Sequence, residues 1–104
     1  SSDLHIACEI ENGNLEVIEL LVKYGGEINA RDGDGFTPLQ TAAILGKMQT
    51  VTKLVELKAD VNLTTKDGKD AADLAQMNEE PMIEEYLKSR RNSLMRIWNS
   101  LVKS

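Results

Sequence analysis

Asp34-Gly35-Phe36-Thr37-Pro38-Leu39-Gln40-Thr41-Ala42-Ala43, followed by Gly46 and then by Ala59-Asp60-Val61-Asn62, is the stretch that decides the fold of this 104-residue chain. Asp34-Gly35 is a turn signal, Thr37 carries the hydroxyl of a helix N-cap, and Pro38 suits a first helical turn, where its missing N–H costs nothing. Leu39, Ala42 and Ala43 then give a short face of small residues, and Gly46 stops the helix. A second helix follows with Val51, Leu54 and Val55 at i, i+3 and i+4. It runs to about Leu57, before Ala59 to Asn62 turns the chain outward. The unit reads helix, turn, helix, loop.

Working outward, the unit repeats. Gly13, Leu21, Ile28, Asn29, Asp34, Gly35 and Ala42 return 33 positions later as Gly46, Leu54, Val61, Asn62, Asp67, Gly68 and Ala75, and Leu54 returns once more as Leu87. A period of that length belongs to units that cannot each bury an apolar face and must stack to do so. The chain is therefore expected to be an all-α solenoid of about three helix-turn-helix units, at residues 1–30, 31–63 and 64–89, with a basic amphipathic helix over 90–104.

The first unit opens on Leu4-His5-Ile6-Ala7-Cys8, and its second helix spans Leu15 to Tyr24 until Gly25-Gly26 ends it. Leu4 to Leu39 is 35 residues rather than 33, which places a two-residue insertion within Glu9 to Asn14, in a turn expected to project. The third unit keeps Asp67-Gly68 but carries Asp70-Ala71 in place of Thr37-Pro38 and Glu79 in place of Gly46, as a worn capping repeat would. Its helices read as Ala71 to Met77 and Pro81 to about Ser89. Beyond it, Leu94, Ile97, Trp98, Leu101 and Val102 form one stripe, with Arg96 and Asn99 off it. Whether that segment continues the preceding helix or packs as a separate one stays open.

Composition narrows the function classes. Aromatics make up 4% of the chain, so the core must be built from Leu, Ile, Val and Ala. The single Cys8 excludes an intramolecular disulfide, and there is neither an apolar run of about 18 residues nor a charged-then-apolar start. These features fit a reducing setting, cytoplasmic or nuclear, and no membrane span is expected. Ser1-Ser2 without an initiator Met suggests a fragment, a processed chain or a cloning remnant. The net charge of −5 hides an asymmetry: residues 1–87 hold 7 basic and 17 acidic side chains, whereas 88–104 hold 5 basic and none acidic. An acidic body lacks the clustered Lys and Arg that phosphate binding draws on, which disfavours nucleic acid as a partner.

The Asp-Gly turn, the Thr37-Pro38-Leu39-Gln40 helix start, Ala42-Ala43, Gly46 and Ala59-Asp60-Val61-Asn62 together resemble the ankyrin repeat, over about residues 2 to 88. Leu4-His5-Ile6-Ala7-Cys8 and Gly25-Gly26-Glu27-Ile28-Asn29-Ala30 repeat the pattern. Departures are Ser2-Asp3 for Thr-Pro, Gln40 for His, Lys58 for Gly, and most of the third unit. The resemblance implies an L-shaped stack with projecting β-hairpin loops that binds other proteins, without catalysis, through loop tips and inner helices. Carried over position by position, partner contacts would fall on Arg31, Asp34, Phe36, Ile44 and Leu45, and on Thr64, Lys66, Lys69 and Met77. The residues point to the same patch: Phe36 sits in a loop where nothing requires a large ring, and Ile44-Leu45 lie beyond the Ala42-Ala43 face. The alternative is that Ile44 and Leu45 only cover a neighbouring repeat.

Other chemistry is thin. His5 has no Cys or carboxylate partner at metal spacing and occupies the family's His position, where it would bond the loop backbone. Cys8 fills an Ala slot and reads as core. No metal or cofactor is expected, and with no phosphate loop or nucleophile elbow the chain is not expected to be an enzyme. Asn29 and Asn62 read as closing their hairpins; the Leu eight residues before each also resembles the pattern taken by the asparaginyl hydroxylase that modifies the family, so Asn62 is a candidate for slow hydroxylation. Arg90-Arg91-Asn92-Ser93-Leu94 resembles a cAMP-dependent protein kinase site at Ser93, where phosphate would add about −1.5 to −2 charge beside Arg90, Arg91 and Arg96. Leu94, Trp98 and Leu101 on a basic helix look like a calmodulin target, set against the alternative of a cap over the last apolar face. An interaction module for a basic or mixed-charge protein partner is thus expected, or else a regulatory segment of a larger scaffold whose tail helix does the work.

Overall fold

The computed structural model describes residues 3–9, 15–91 and 101–102. Through residue 91 the described helices are, in order, α1 (Asp3–Glu9), α2 (Leu15–Lys23), α3 (Pro38–Ile44), α4 (Met48–Glu56), α5 (Ala71–Met77) and α6 (Pro81–Arg90). They pair as α1 with α2, α3 with α4 and α5 with α6, and the pairs stack so that α1, α3 and α5 form one row and α2, α4 and α6 the other. The stack measures 44 × 28 × 23 Å.

Local chemistry sets the helix starts. At α3, Thr37 caps the helix by accepting from Gln40 N at 3.2 Å, while Gln40 Oε1 accepts from Thr37 N at 2.9 Å, a reciprocal capping box with Pro38 behind it. The worn third unit does the same with other residues: Asp70 accepts from Asp73 N at 2.9 Å, and Asp73 accepts from Asp70 N at 3.1 Å. Asp70-Ala71 thus replaces Thr37-Pro38 without losing the cap. Pro81 opens α6 in the same manner that Pro38 opens α3.

The core runs along the stack. Leu4, Ala7 and Cys8 of α1, Leu39, Ala42 and Ala43 of α3 and Ala71, Ala72 and Ala75 of α5 are buried, with Ile18, Val51, Leu54, Ile83 and Leu87 supplied by the outer row. Alanines let the seven-residue inner helices approach closely, which is how a chain poor in aromatics fills its interior. Periodicity follows cover: Leu54 and Leu87, one repeat apart, are almost wholly buried, while Leu21 at the first pair is only half-buried.

The loops between pairs are tight hydrogen-bonded turns, and no strand occurs among the described residues. Asp32 N donates to Phe36 O at 2.9 Å and Gly35 N to Asp32 O at 3.0 Å; Thr65 and Lys69 repeat the closure at 2.9 Å, with Gly68 N donating to Thr65 O. The hairpin expected from the resemblance survives as this closure rather than as a laddered strand pair. Side chains also tie each unit to the next. His5 Nε2 meets Phe36 O at 2.8 Å, Gln40 Nε2 donates to Leu63 O at 2.9 Å, and Asn29 Oδ1 accepts from Asp60 N at 2.9 Å.

At the far end, Arg91 folds back from the end of α6 onto the start of α5. Its Nε and Nη2 donate to the two carboxylate oxygens of Asp70 at 2.9 and 2.8 Å, and Nη2 also reaches Asp73 at 3.3 Å. The projecting turn expected within Glu9 to Asn14, Ser93 with its kinase motif, and the choice between cap and target at Trp98 lie outside the described residues. Leu101 and Val102 of the tail stripe are exposed.

Candidate functional site

The turn of residues 31–36 builds one wall of the site. Asp32 organises it: Oδ1 accepts from Asp34 N at 2.9 Å and from Phe36 N at 3.0 Å. Burial, which would raise its pKa, is outweighed by these amide bonds from Phe36 and Asp34, so the Asp32 carboxyl is held below its ordinary range and stays charged. Phe36 is fixed from both sides, its N–H on Asp32 and its carbonyl on His5. This is the role foreseen for His5, a brace between the first pair and the next loop.

Facing the turn, α3 contributes Thr41 and Ile44, its C-cap contributes Leu45, and the end of α1 contributes Glu9. Phe36, Ile44, Leu45, Thr41, Asp32 and Glu9 line one open hollow of about 410 Å³. Leu45 is 48% exposed, and Phe36 and Ile44 are half-buried. Its floor is apolar, and its charged members are both carboxylates.

The remaining sequence candidates are arranged differently. Arg31 is exposed on the loop side, where its Nη1 donates to Gly35 O at 2.9 Å and to Thr64 O at 2.7 Å, joining the two successive turns. The stem of Lys66 lies over Gly35, whose backbone sits at φ +89 and whose absent Cβ would stand 3.4 Å from Lys66 Cε. Arg31, Thr64 and Lys66 therefore pack turn against turn. Asp34 and Lys69 are exposed at the turns, and Met77 is 65% exposed at the end of α5, one repeat on from Ile44; none of these lines the hollow.

Glu9, Asp32 and Thr41 are the lining residues that sequence reasoning passed over. Glu9 had a signal: the offset of 35 that aligns Leu4 with Leu39 also aligns Glu9 with Ile44. Asp32 had a weaker one, since Thr65, one repeat later, plays the same part by accepting from Lys69 N at 3.3 Å.

Elsewhere the chemistry is structural. Burial, aided by the charge of Glu9 and opposed by that of Lys47, pushes the Cys8 thiol up to about 12, which makes it a core group rather than a nucleophile. No group of three or more His, Cys, Asp or Glu side chains among the described residues is placed to hold a metal ion. No described helix is long and apolar enough to cross a membrane. Asn62 is exposed, its N–H donating to Asp60 Oδ1 at 2.9 Å.

Comparison with known proteins agrees with this architecture. Residues 4–94 match the family model described as ankyrin repeats, three copies. Human protein phosphatase 1 regulatory subunit 27 is 40% identical over 73 residues, 70% of this chain and 47% of that protein. Mouse protein phosphatase 1 regulatory subunit 12A is 36% identical over 87 residues, 84% of this chain and 8% of that much longer protein. An ankyrin repeat-containing protein of Schizosaccharomyces pombe is 34% identical over 86 residues, 81% of this chain and 40% of its own length. The chain thus spans about half the length of the first relative and a small part of the second. By its repeats, its stacked helix pairs and these matches, the chain belongs to the ankyrin-repeat family and is a protein–protein interaction module.

Proposed function

We propose that this stack is a non-catalytic recognition surface that holds a partner protein across the α1–α3 hollow and the adjoining turn tips, as part of a regulatory protein of the protein phosphatase 1 kind. The observation that carries the reading is the apolar floor of the hollow, where Leu45 is exposed beside the half-buried Phe36 and Ile44. Rigidity supports it: with its turns closed by backbone bonds and tied to the next unit by Arg31, His5 and Gln40, the surface is ordered before binding and loses little conformational entropy on contact. Arg31, Thr64 and Lys66 then act by holding the tips, while Asp34, Phe36, Ile44, Leu45, Lys69 and Met77 are available to the partner.

The phosphatase part of the reading rests on two relatives, each named as a regulatory subunit of that enzyme. The test is affinity capture from lysate with the 104-residue chain beside Ile44→Ala/Leu45→Ala, followed by titration of purified phosphatase 1 catalytic subunit, alone and with the captured proteins. A specific partner lost in the double variant, with unchanged helicity, is the expected result. A partner that binds both chains equally refutes the surface, and captured complexes without phosphatase 1 refute the regulatory assignment.

A further inference from the structure

We infer that the α1–α3 hollow takes an extended partner segment in which an apolar side chain is followed within one or two residues by Lys or Arg. The inference rests on the recognition surface proposed above and names what that surface selects. Three observations converge. The floor, Phe36 with Ile44 and Leu45, is apolar and open enough at about 410 Å³ to admit one medium or large aliphatic or aromatic side chain. The charged lining groups, Asp32 at the turn and Glu9 at the end of α1, are both acidic, and no cation is among the described residues that line the hollow. Asp34, exposed on the same turn between Asp32 and Phe36, adds a third carboxylate outside the rim.

The acids are positioned rather than merely numerous. Asp32 cannot swing away, because Oδ1 holds Asp34 N and Phe36 N. That leaves its second oxygen to a ligand, next to the ring of Phe36 whose backbone it fixes. An ammonium or guanidinium that meets Asp32 or Glu9 lies beside the apolar floor of the same hollow, and this couples the two features in one short motif. The nearby basic groups do not line the hollow: Arg31 donates to Gly35 and Thr64, Lys66 lies over Gly35, and Lys47, whose charge reaches Cys8, stands outside the lining. An acidic segment would find no counter-charge in the hollow and would meet like charge at its rim.

The experiment is selection of a phage-displayed library of random dodecapeptides on the 104-residue chain, followed by fluorescence-anisotropy titration of the enriched peptides against Glu9→Gln, Asp32→Asn and Leu45→Ala. Asp32→Asn keeps the Oδ1 acceptor of the turn, so loss of binding there reports charge, and far-UV circular dichroism confirms each fold. Expected is enrichment of an apolar residue beside Lys or Arg, about two- to five-fold weaker binding for Glu9→Gln or Asp32→Asn, as for a rim ion pair, and a larger loss for Leu45→Ala. Raising the salt should weaken binding to wild type more than to the charge variants. Peptides lost in Leu45→Ala but carrying no basic residue overturn this inference and leave the recognition surface standing. Peptides insensitive to all three substitutions overturn both. Failure to enrich any peptide while the chain still captures a partner protein through Ile44 and Leu45 overturns the short-motif inference alone.

Discussion

Removing the Arg91 guanidinium tests how the last pair is held, because three of its hydrogen bonds run to the start of α5. Asp70 is 8% exposed and serves as the N-cap of α5, and Asp73, its partner in the capping box, brings a second carboxylate beside it. In Arg91→Ala those two acids face each other without the guanidinium between them. Fully exposed pairs contribute about 0.2–1 kcal/mol, and breaking a buried pair costs about 3–5 kcal/mol. With side-chain exposures of 27% for Arg91 and 12% for Asp70, the pair lies between these limits. Arg91→Ala should therefore destabilise by about 1.5–3 kcal/mol in urea unfolding followed by far-UV circular dichroism at neutral pH.

A double-mutant cycle with Asp70→Thr isolates the pair, since threonine is the cap that α3 already uses at Thr37. In the Asp70→Thr background the same Arg91→Ala change should cost about 1 kcal/mol or less. Acid supplies an independent check. The Asp73 carboxyl is held below its ordinary range, chiefly by the Asp70 amide, against the opposing effect of burial, and further by the Asp70 side chain and the charge of Arg91. A depressed folded-state pKa gives stability that is complete above the unfolded value of about 3.9 and is lost as pH falls through the folded value. The gap between wild type and Arg91→Ala should accordingly narrow below pH about 4. A gap under about 0.5 kcal/mol at neutral pH, or one unchanged into acid, refutes the clamp.

Three further outcomes follow from the same structure. Leu54→Ala, at a side chain with no exposed surface between pairs, should cost about 2–5 kcal/mol by denaturant titration, whereas the half-buried equivalent Leu21→Ala should cost clearly less. Cys8, buried and with its thiol pushed up to about 12, should resist a thiol reagent in the folded protein at neutral pH and react fully in urea; fast labelling of the native chain would contradict its burial. Lys58 and Glu79 hold φ of 79 and 58 where the equivalent Gly25 and Gly46 hold 99 and 73. Relief of left-handed strain outweighs the added flexibility of the unfolded chain, so Lys58→Gly and Glu79→Gly should each stabilise by about 0.5–1 kcal/mol, read as an upward shift in melting temperature.

Those last two positions show what sequence periodicity conveys and what it does not. Glycine at 25 and 46 announces a helix end directly, yet the chain makes the same end at 58 and 79 without it. Ala59 N bonds Leu54 O at 2.9 Å as Gly26 N bonds Leu21 O at 2.8 Å, and Glu80 N bonds Ala75 O at 2.9 Å as Lys47 N bonds Ala42 O at 3.0 Å. The same local closure holds the left-handed backbone at all four ends, and Lys58 and Glu79 tolerate it. Helix positions were therefore legible even in the worn third unit, because Asp70 and Pro81 act through bonds and angles local to the sequence. The α3 start was legible for the same reason.

Contacts between charged side chains distant in the chain are decided otherwise. Arg91 and Asp70 are 21 residues apart, and no spacing rule links the end of one helix to the cap of another; only the antiparallel packing of α6 on α5 brings them together. Arg31 makes another such link, its exposed guanidinium bridging Gly35 O and Thr64 O between successive turns. Glu9 was hidden by the offset between 35 and 33, which shifts the first unit against the other two. Once that shift is applied, the inner row reads Glu9, Ile44, Met77: one acid and two apolar side chains at equivalent places on three stacked helices. A solenoid fixes where such a row stands and leaves its chemistry free, so the binding surface proposed above draws its selectivity from side chains such as Glu9 and Ile44 and not from the fold.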